Sequence, residues 1–374
     1  ISTIAALVEA SPEFLISSVF KNNNDATQRG GIYSVRLFNG SAGRAVFIIL
    51  DDFIPCNAVK QPLYSHTHTG CWYVSLIEKA YAKLHGSFEA IDGGIERYAK
   101  QILTGGSSYS IHLRSWECIR EHQQGTLWNR VVGLLTDPNS INLLTCSINP
   151  STVTKGSDLQ GLFTGHAYTI LRAHSLSRKF HLVQLMNPYG KGSEEWKGPW
   201  SDNDTKMWTP AMQSQMTAIL QRPFNTTSSS ADGTFWMEFE QEYLKYFTTI
   251  DVCSFQRSQS LTTAHTLCLI PLSRDPWSMH AIRLVGPGTL SILIKQPTLT
   301  EDAFEADEIS LIVGTLPVDI FRLVKNSISG FTERVILKEQ SVLDVLVRHI
   351  VTLKRIRPTT EKHIAAQLCV SESA

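Results

Sequence analysis

The sequence predicts an α+β fold, with a helical part followed by an antiparallel sheet, and then an all-β sandwich. Apolar residues recur at helical spacing in the first part, as in the stripe formed by Trp72, Leu76 and Ala80. Short runs of β-type residues between turn residues follow, and beyond Ser254 these runs recur at regular spacing. Because a chain of 374 residues is longer than one ordinary domain, we expect roughly two to three domains.

The formal charge of the chain is balanced. Lys plus Arg and Asp plus Glu both number 34, so we expect no nucleic-acid partner and no general attraction to anionic membranes. The 7 cysteines are widely spaced and contain no CxxC pair, which argues against a disulfide framework or a zinc module and favours a reducing, cytoplasmic (intracellular) location. The sequence contains no run of about 18 apolar residues, so it predicts no transmembrane segment.

The N-terminal residues have the spacing of a helix without a cap. Ile1, Ile4 and Leu7 share one helical face and no capping residue precedes them, so we expect this chain to be a piece of a longer protein. Pro12 predicts the start of a second helix.

The elements that follow are predicted from strand runs, helical stripes and glycine pairs. A hairpin is expected from strands 32–38 and 44–50, and a buried helix over 72–84. Gly105-Gly106 is the predicted hinge between two subdomains.

Beyond this hinge the sequence predicts a mainly antiparallel sheet with helices beside it. The predicted strands lie around Gly133 and at 143–147, 166–171, 180–186 and 234–238, and the predicted helices at 210–220 and 238–247. The sandwich strands are predicted at 266–272, 289–295 and 309–315.

Two polar residues flank the hairpin of this sheet. With a turn centred between Leu176 and Ser177, His166 stands opposite Asn187, and opposed residues have Cβ atoms roughly 4.5 to 5.5 Å apart. An Asn amide at that distance can orient an imidazole, and a held imidazole is the base of a nucleophile–base pair. Cys, His and Asn in chain order is the layout of papain-like thiol proteases.

Three ordered blocks carry a resemblance to the calpain family. GHAY at 165–168 and NPYG at 187–190 resemble the family's GHAY and NPWG motifs. EKAYAK at 78–83 is similar to the family's LLEKAYAK helix, and DGTFWM at 232–237 is similar to its DGEFWM motif.

The resemblance implies a papain-like calpain protease core followed by a calpain-type β-sandwich. Subdomain one would cover 1–106 and be helical and N-terminally truncated, subdomain two would cover 107–254 and carry the His and Asn, and the sandwich would cover 255–374. The implied activity is that of an intracellular cysteine endopeptidase acting on protein or peptide substrates, with catalytic residues His166 and Asn187. The sandwich would add a weak membrane or protein contact.

The nucleophile is expected just before residue 1, because the chain begins like the tail of the family's GDCWLLAAIASL segment. Cys71 also precedes a helix. Its neighbours, however, match the family's LLEKAYAK helix, which carries no nucleophile, so we expect Cys71 to be a packed structural thiol. The same role is expected for Cys118, Cys146 and Cys253.

Tyr189 replaces the family's Trp and should still shield the His–Asn contact. Core positions are expected for Trp196 and Trp200.

The resemblance also implies calcium as a cofactor. The residues that match the second of two acidic sites are Glu195 (or its neighbour Glu194), Asp202 and Asp232. Tyr98 and Thr234 stand where further Glu ligands are expected, so a weak second site is favoured over a full pair, with a solvated acidic loop as the alternative. These departures motivate the alternative function of a non-catalytic calpain-like interaction or regulatory protein.

Overall fold

A computed structural model describes most of the chain. The described residues are 2–20, 23–39, 44–67, 70–94, 96–138, 140–177, 179–190, 194–224 and 232–256, and then the strand segments 263–271, 277–283, 288–295, 308–315, 322–327, 331–337, 342–350 and 363–372. The chain divides into two compact units, one of Ile1–Phe38 with Ala45–Arg257 and one of Asn39–Arg44 with Ser258–Ala374.

The first unit begins with helices around a hairpin. The helices are α1 (Ser2–Ala10), α2 (Pro12–Phe14), which continues as a π-helical turn over Leu15–Val19, α3 (Asp25–Arg29), α4 (Tyr73–His85) and α5 (Glu96–Thr104). The hairpin strands are β1 (Ile32–Asn39) and β2 (Arg44–Asp51). The predicted hairpin and the predicted helix at 72–84 are therefore confirmed within a residue or two.

A six-stranded antiparallel sheet forms the rest of this unit, in the order β3-β8-β4-β5-β6-β7. Its strands are β3 (Ser107–His112), β4 (Ser140–Ser147), β5 (Ala167–Leu176), β6 (Phe180–Met186), β7 (Thr234–Glu238) and β8 (Thr249–Gln256). The helices of this region are α6 (Trp116–Gln123), α7 (Thr126–Leu135), α8 (Pro210–Leu220) and α9 (Leu244–Tyr246), which follows a π-helical turn over Phe239–Tyr243. Short 3-10 turns occur at Glu89–Ile91 and Pro150–Thr152.

Both faces of the sheet are buried, which fixes where the two apolar cores lie. On β4, Ile141 and Leu143 pack into the core that contains Leu7 of α1. The alternate residues Leu144 and Cys146 pack into a second core on the opposite face. The period of two therefore places α1 against one face of the strands that lead to the site.

The strand predicted around Gly133 is wrong, because this segment is α7. Leu127, Trp128 and Val131 are its buried residues, and this i, i+1, i+4 spacing matches a helical face. A short apolar run such as that before Gly133 is compatible with either a strand or a helix, so local sequence does not decide between them.

The hairpin of β5 and β6 has a different register from the predicted one. Leu176 pairs with Phe180, so the connection spans 177–179 instead of being centred after Leu176. Thr169 pairs with Met186, and an irregularity follows Ile170. The polar connection contains several turn-forming residues, and the pattern alone does not select one of them.

The second unit contains two four-stranded antiparallel sheets, ordered β10-β15-β12-β13 and β14-β11-β16-β9. The strands are β9 (Thr263–Pro271), β10 (Trp277–Arg283), β11 (Gly288–Lys295), β12 (Glu308–Thr315), β13 (Arg322–Ser327), β14 (Phe331–Leu337), β15 (Val342–Ile350) and β16 (His363–Glu372). The packing of these sheets as a sandwich stays a prediction. Among the described helices of the whole chain, none has the length and apolar character that a membrane span requires.

Candidate active site

His166 and Asn187 meet where the two hairpin strands end. His166 directly precedes β5 and Asn187 directly follows β6, so they are not a paired position of the ladder. Their side chains nevertheless make contact, with 2.8 Å between His166 Nε2 and Asn187 Oδ1. Gly165 N donates to the carbonyl oxygen of Ile148 at 2.9 Å, which anchors the chain just before the histidine.

The Asn187 side chain has its orientation set by the backbone around it. Asn187 is fully buried, its Nδ2 donates to the Glu194 carbonyl oxygen at 3.1 Å, and its Oδ1 accepts from Tyr189 N at 3.1 Å. Since Oδ1 is therefore the atom that faces the imidazole, His166 Nε2 must carry the proton and donate it. His166 Nδ1 is then unprotonated and can act as a base.

Aromatic rings surround this imidazole. Tyr189 stacks on it with ring centroids 4.6 Å apart, while Tyr168 and Phe163 meet it edge-on at 5.0 and 5.9 Å. Tyr168 Oη also accepts from Phe163 N at 2.8 Å. Tyr189 is 67 % exposed, and its shielding of the His–Asn contact stays a prediction. No role was predicted for Phe163, although an aromatic residue two positions before the GHAY motif was a detectable signal.

The environment favours the neutral form of the histidine. Burial lowers the pKa of His166, and the hydrogen bond with Asn187 opposes this by raising it. A neutral imidazole with a free Nδ1 is the form that takes up a proton, so the site suits general-base chemistry near neutral pH.

The first turn of α1 lies beside the histidine. Ser2 Oγ donates to the carbonyl oxygen of Ala167 at 3.1 Å, and Thr169 Oγ1 donates to the carbonyl oxygen of Ser2 at 3.0 Å. Ala167 is the residue that follows His166. A helix N-terminus carries positive potential, and this potential lowers the pKa of a nearby thiol.

The described cysteines do not take part in this arrangement. Cys118, Cys146 and Cys253 are buried, and burial raises the pKa of both Cys146 and Cys253, so they are structural thiols as predicted. Cys71 is exposed, which makes the prediction of a packed thiol wrong there. Within the described residues, the hydrogen-bond and ring partners of His166 contain no thiol.

The acidic residues expected to hold calcium are engaged with protein groups instead. Glu195 Oε1 accepts from Gly233 N at 2.6 Å, and Asp232 Oδ1 accepts from both N and Oγ1 of Thr234 at 2.7 Å. Asp202 is buried. In the part of the chain that the structure describes, no group of three or more His, Cys, Asp or Glu is arranged to hold a metal ion. Calcium binding at these residues stays a prediction.

Trp196 and Trp200, predicted as core residues, are both buried. Trp196 belongs to the core on one face of the sheet, and Trp200 packs edge-on against Trp208 at 4.7 Å. These rings anchor the segment that leads away from Asn187.

Comparison with known proteins gives consistent matches. Residues 1–254 match the model of the calpain family cysteine proteases. The calpain-type cysteine protease DEK1 of Arabidopsis thaliana is 33% identical over 261 residues, which cover 68% of this chain and 11% of the relative. Calpain-A of Drosophila melanogaster is 32% identical over 232 residues, 60% of this chain and 26% of the relative.

A third relative, the calpain-1 catalytic subunit of Rattus norvegicus, is 29% identical over 232 residues, 60% of this chain and 29% of the relative. The chain thus spans between about a tenth and a third of the length of these curated relatives. A structure of infectious bursal disease virus aligns with a TM-score of 0.21 and 10% identity over 63% of this chain and 54% of that chain, a likeness too low to carry any argument.

Proposed function

Because the chain belongs to the calpain family of cysteine proteases, we propose that it supplies the base half of a Cys–His–Asn endopeptidase site. His166 is the general base and Asn187 orients its ring. The observation that supports this best is the 2.8 Å contact between His166 Nε2 and Asn187 Oδ1. The contact between Ser2 of α1 and Ala167, the residue after His166, also supports a thiol placed just ahead of this helix.

The proposed chemistry begins with a thiol placed ahead of α1 in the longer protein. His166 Nδ1 takes the thiol proton, and the sulfur attacks the peptide carbonyl carbon while the carbonyl electron pair moves to oxygen. When the C–N bond breaks, Nδ1 returns the proton to the leaving amine, and water later hydrolyses the thioester. Asn187 accepts from Nε2 throughout, which keeps the ring from turning away.

The substrates and location are proposed from the family. We propose protein or peptide substrates in the cytoplasm, with protease subdomains at 1–106 and 107–254 and a β-sandwich at 255–374. The separate pairing of β9 through β16 supports the last boundary. A weak membrane or protein contact through that sandwich is part of the same proposal.

The direct test is cleavage of an unfolded protein by the longer protein that contains this chain. His166→Ala removes the base, so kcat/KM should fall by about 10³-fold, within the range for general acid–base groups. His122, exposed on α6, provides the matched control, because His122→Ala should cleave like the wild type. Equal cleavage by wild type and His166→Ala would end the proposal.

The alternative is a non-catalytic calpain-like interaction or regulatory protein. It is supported by Tyr98 and Thr234, which stand where the family has Glu ligands, and by Tyr189 in place of the family's Trp. The residue two positions before Ile1, read from a sequence that extends beyond this chain, decides between the two functions. A Cys there supports the protease, whereas Ser, Gly or another residue supports the alternative.

A further inference from the structure

We propose that Glu195 is a positioning residue, whose carboxylate holds Asn187 in the orientation that His166 requires. The inference rests on the proposed roles of His166 and Asn187. It gives Glu195, which the family resemblance assigns to calcium, a different task within this chain.

The carboxylate acts through one residue, Gly233, whose N–H and carbonyl belong to two successive peptide groups. Glu195 Oε1 accepts from Gly233 N at 2.6 Å, and the Gly233 carbonyl oxygen accepts from Asn187 N at 2.7 Å. The Asn187 carbonyl oxygen in turn accepts from Gly190 N at 3.0 Å. Glu195 is therefore two hydrogen bonds away from the backbone of the residue that contacts the imidazole.

The residue before Glu195 holds the other end of Asn187. The Glu194 carbonyl oxygen accepts from Asn187 Nδ2 at 3.1 Å, which points Oδ1 towards His166. The two neighbouring residues thus fix both the backbone and the side chain of Asn187. Trp196 follows them directly and is buried, which anchors the backbone of Glu194 and Glu195.

Tight packing at Gly233 couples the Glu195 hydrogen bond to the position of the Asn187 turn. Gly233 is buried and has φ +91°, and a Cβ there would lie 2.9 Å from Gly190 Cα and 3.0 Å from the Asn187 carbonyl oxygen. Because a buried N–H without an acceptor is costly, loss of the Glu195 carboxylate should turn the peptide between Asp232 and Gly233 towards another acceptor. The next peptide shares the Gly233 Cα, so the Gly233 carbonyl that accepts from Asn187 N should move with it.

The hydrogen bond from Gly233 N to Glu195 Oε1 is made by protein groups alone. The positioning role therefore predicts that the His166–Asn187 contact does not need calcium.

The test reads the imidazole itself in the 374-residue chain. With ¹⁵N-labelled histidine, and with His166→Gln to assign the signals, NMR reports whether Nε2 carries the proton and how fast that proton exchanges with water. Glu195→Ala should accelerate this exchange at least about tenfold, a loss typical of a disrupted hydrogen bond. Glu195→Gln keeps an acceptor oxygen and should retain slow exchange.

Glu194→Ala is the matched control. It removes a side chain that pairs with Lys197 but keeps the carbonyl that holds Asn187, so the His166 signal should stay unchanged. Thermal unfolding identifies variants that fail to fold. If Glu195→Ala fails, Glu195→Asp, which shortens the reach of the carboxylate, replaces it with the same expected loss.

Three results would overturn the positioning role. These are unchanged exchange in Glu195→Ala, equal loss in Glu195→Gln and Glu195→Ala, or a loss of the Nε2 proton signal in wild type when EDTA replaces calcium. The readout does not involve cleavage. An inactive longer protein would therefore contradict the proposed protease without altering this result.

Discussion

At His166, two opposing influences set the protonation state. Burial lowers the pKa of the imidazole and the Asn187 hydrogen bond raises it, with burial the larger effect. A lowered pKa in the folded state means that the histidine contributes to stability above its unfolded value of about 6.5. That contribution is lost as the pH falls through the folded value, because the unfolded chain then binds more protons.

Replacing Asn187 should change this titration in a defined direction. Asn187→Ala removes the hydrogen bond that raises the pKa of His166, so the pKa should fall further below its ordinary value. NMR titration of the labelled histidines measures this, with the exposed His122 as an internal control that should not move. An increase in the pKa of His166 would show that Asn187 does not stabilise the charged ring.

The chemistry of individual residues was more predictable than their geometry. His166 and Asn187 were predicted as neighbours from their motifs and from the hairpin, and the structure brings them into contact. The predicted register was wrong, since a register depends on where the turn forms. The two side chains are still in contact because both residues lie just beyond the strand ends. There the length of the side chains, and not the pairing of the strands, decides whether they meet.

Between helix α5 and the sheet, a buried lysine joins elements that are distant in sequence. Lys100 Nζ donates to Thr145 Oγ1 at 2.6 Å and to the Asp251 carbonyl oxygen at 2.5 Å, so α5 is attached to both β4 and β8. Burial lowers the pKa of Lys100 to about 8, against the charge of Asp251, which raises it. No local pattern identifies this lysine as buried, because only the tertiary structure provides its acceptors.

Lys100→Met should destabilise the chain by about 1 to 3 kcal/mol at pH 7, because buried acceptors lose their donor. Urea unfolding measures this, and Lys83→Met, at an exposed lysine of α4, should change the free energy of unfolding by less than about 0.5 kcal/mol. Because the pKa of Lys100 is lowered, the stability of the wild type relative to the variant should increase as the pH rises above about 8. This gain in stability should be lost as the pH falls through about 8. Equal unfolding of the Lys100 and Lys83 variants would contradict this role.

Over the whole chain, local patterns predicted the order of the parts better than their pairing. The three C-terminal strands predicted from spacing overlap β9, β11 and β12. The pairing of β9 with β16 and of β10 with β15 joins residues far apart in sequence, and no local periodicity encodes it. For the same reason, the docking of α1 on β5 was not predictable from helical spacing alone.

The most direct measurement is the rate at which iodoacetamide alkylates the thiol proposed to precede α1, followed as a function of pH in a chain that includes the residues before Ile1. If His166 and the first turn of α1 stabilise the thiolate, alkylation at about pH 6 should be at least about tenfold faster in wild type than in His166→Ala, because only a thiolate with a lowered pKa reacts there. Equal rates in the two proteins at that pH would show that His166 does not activate a thiol.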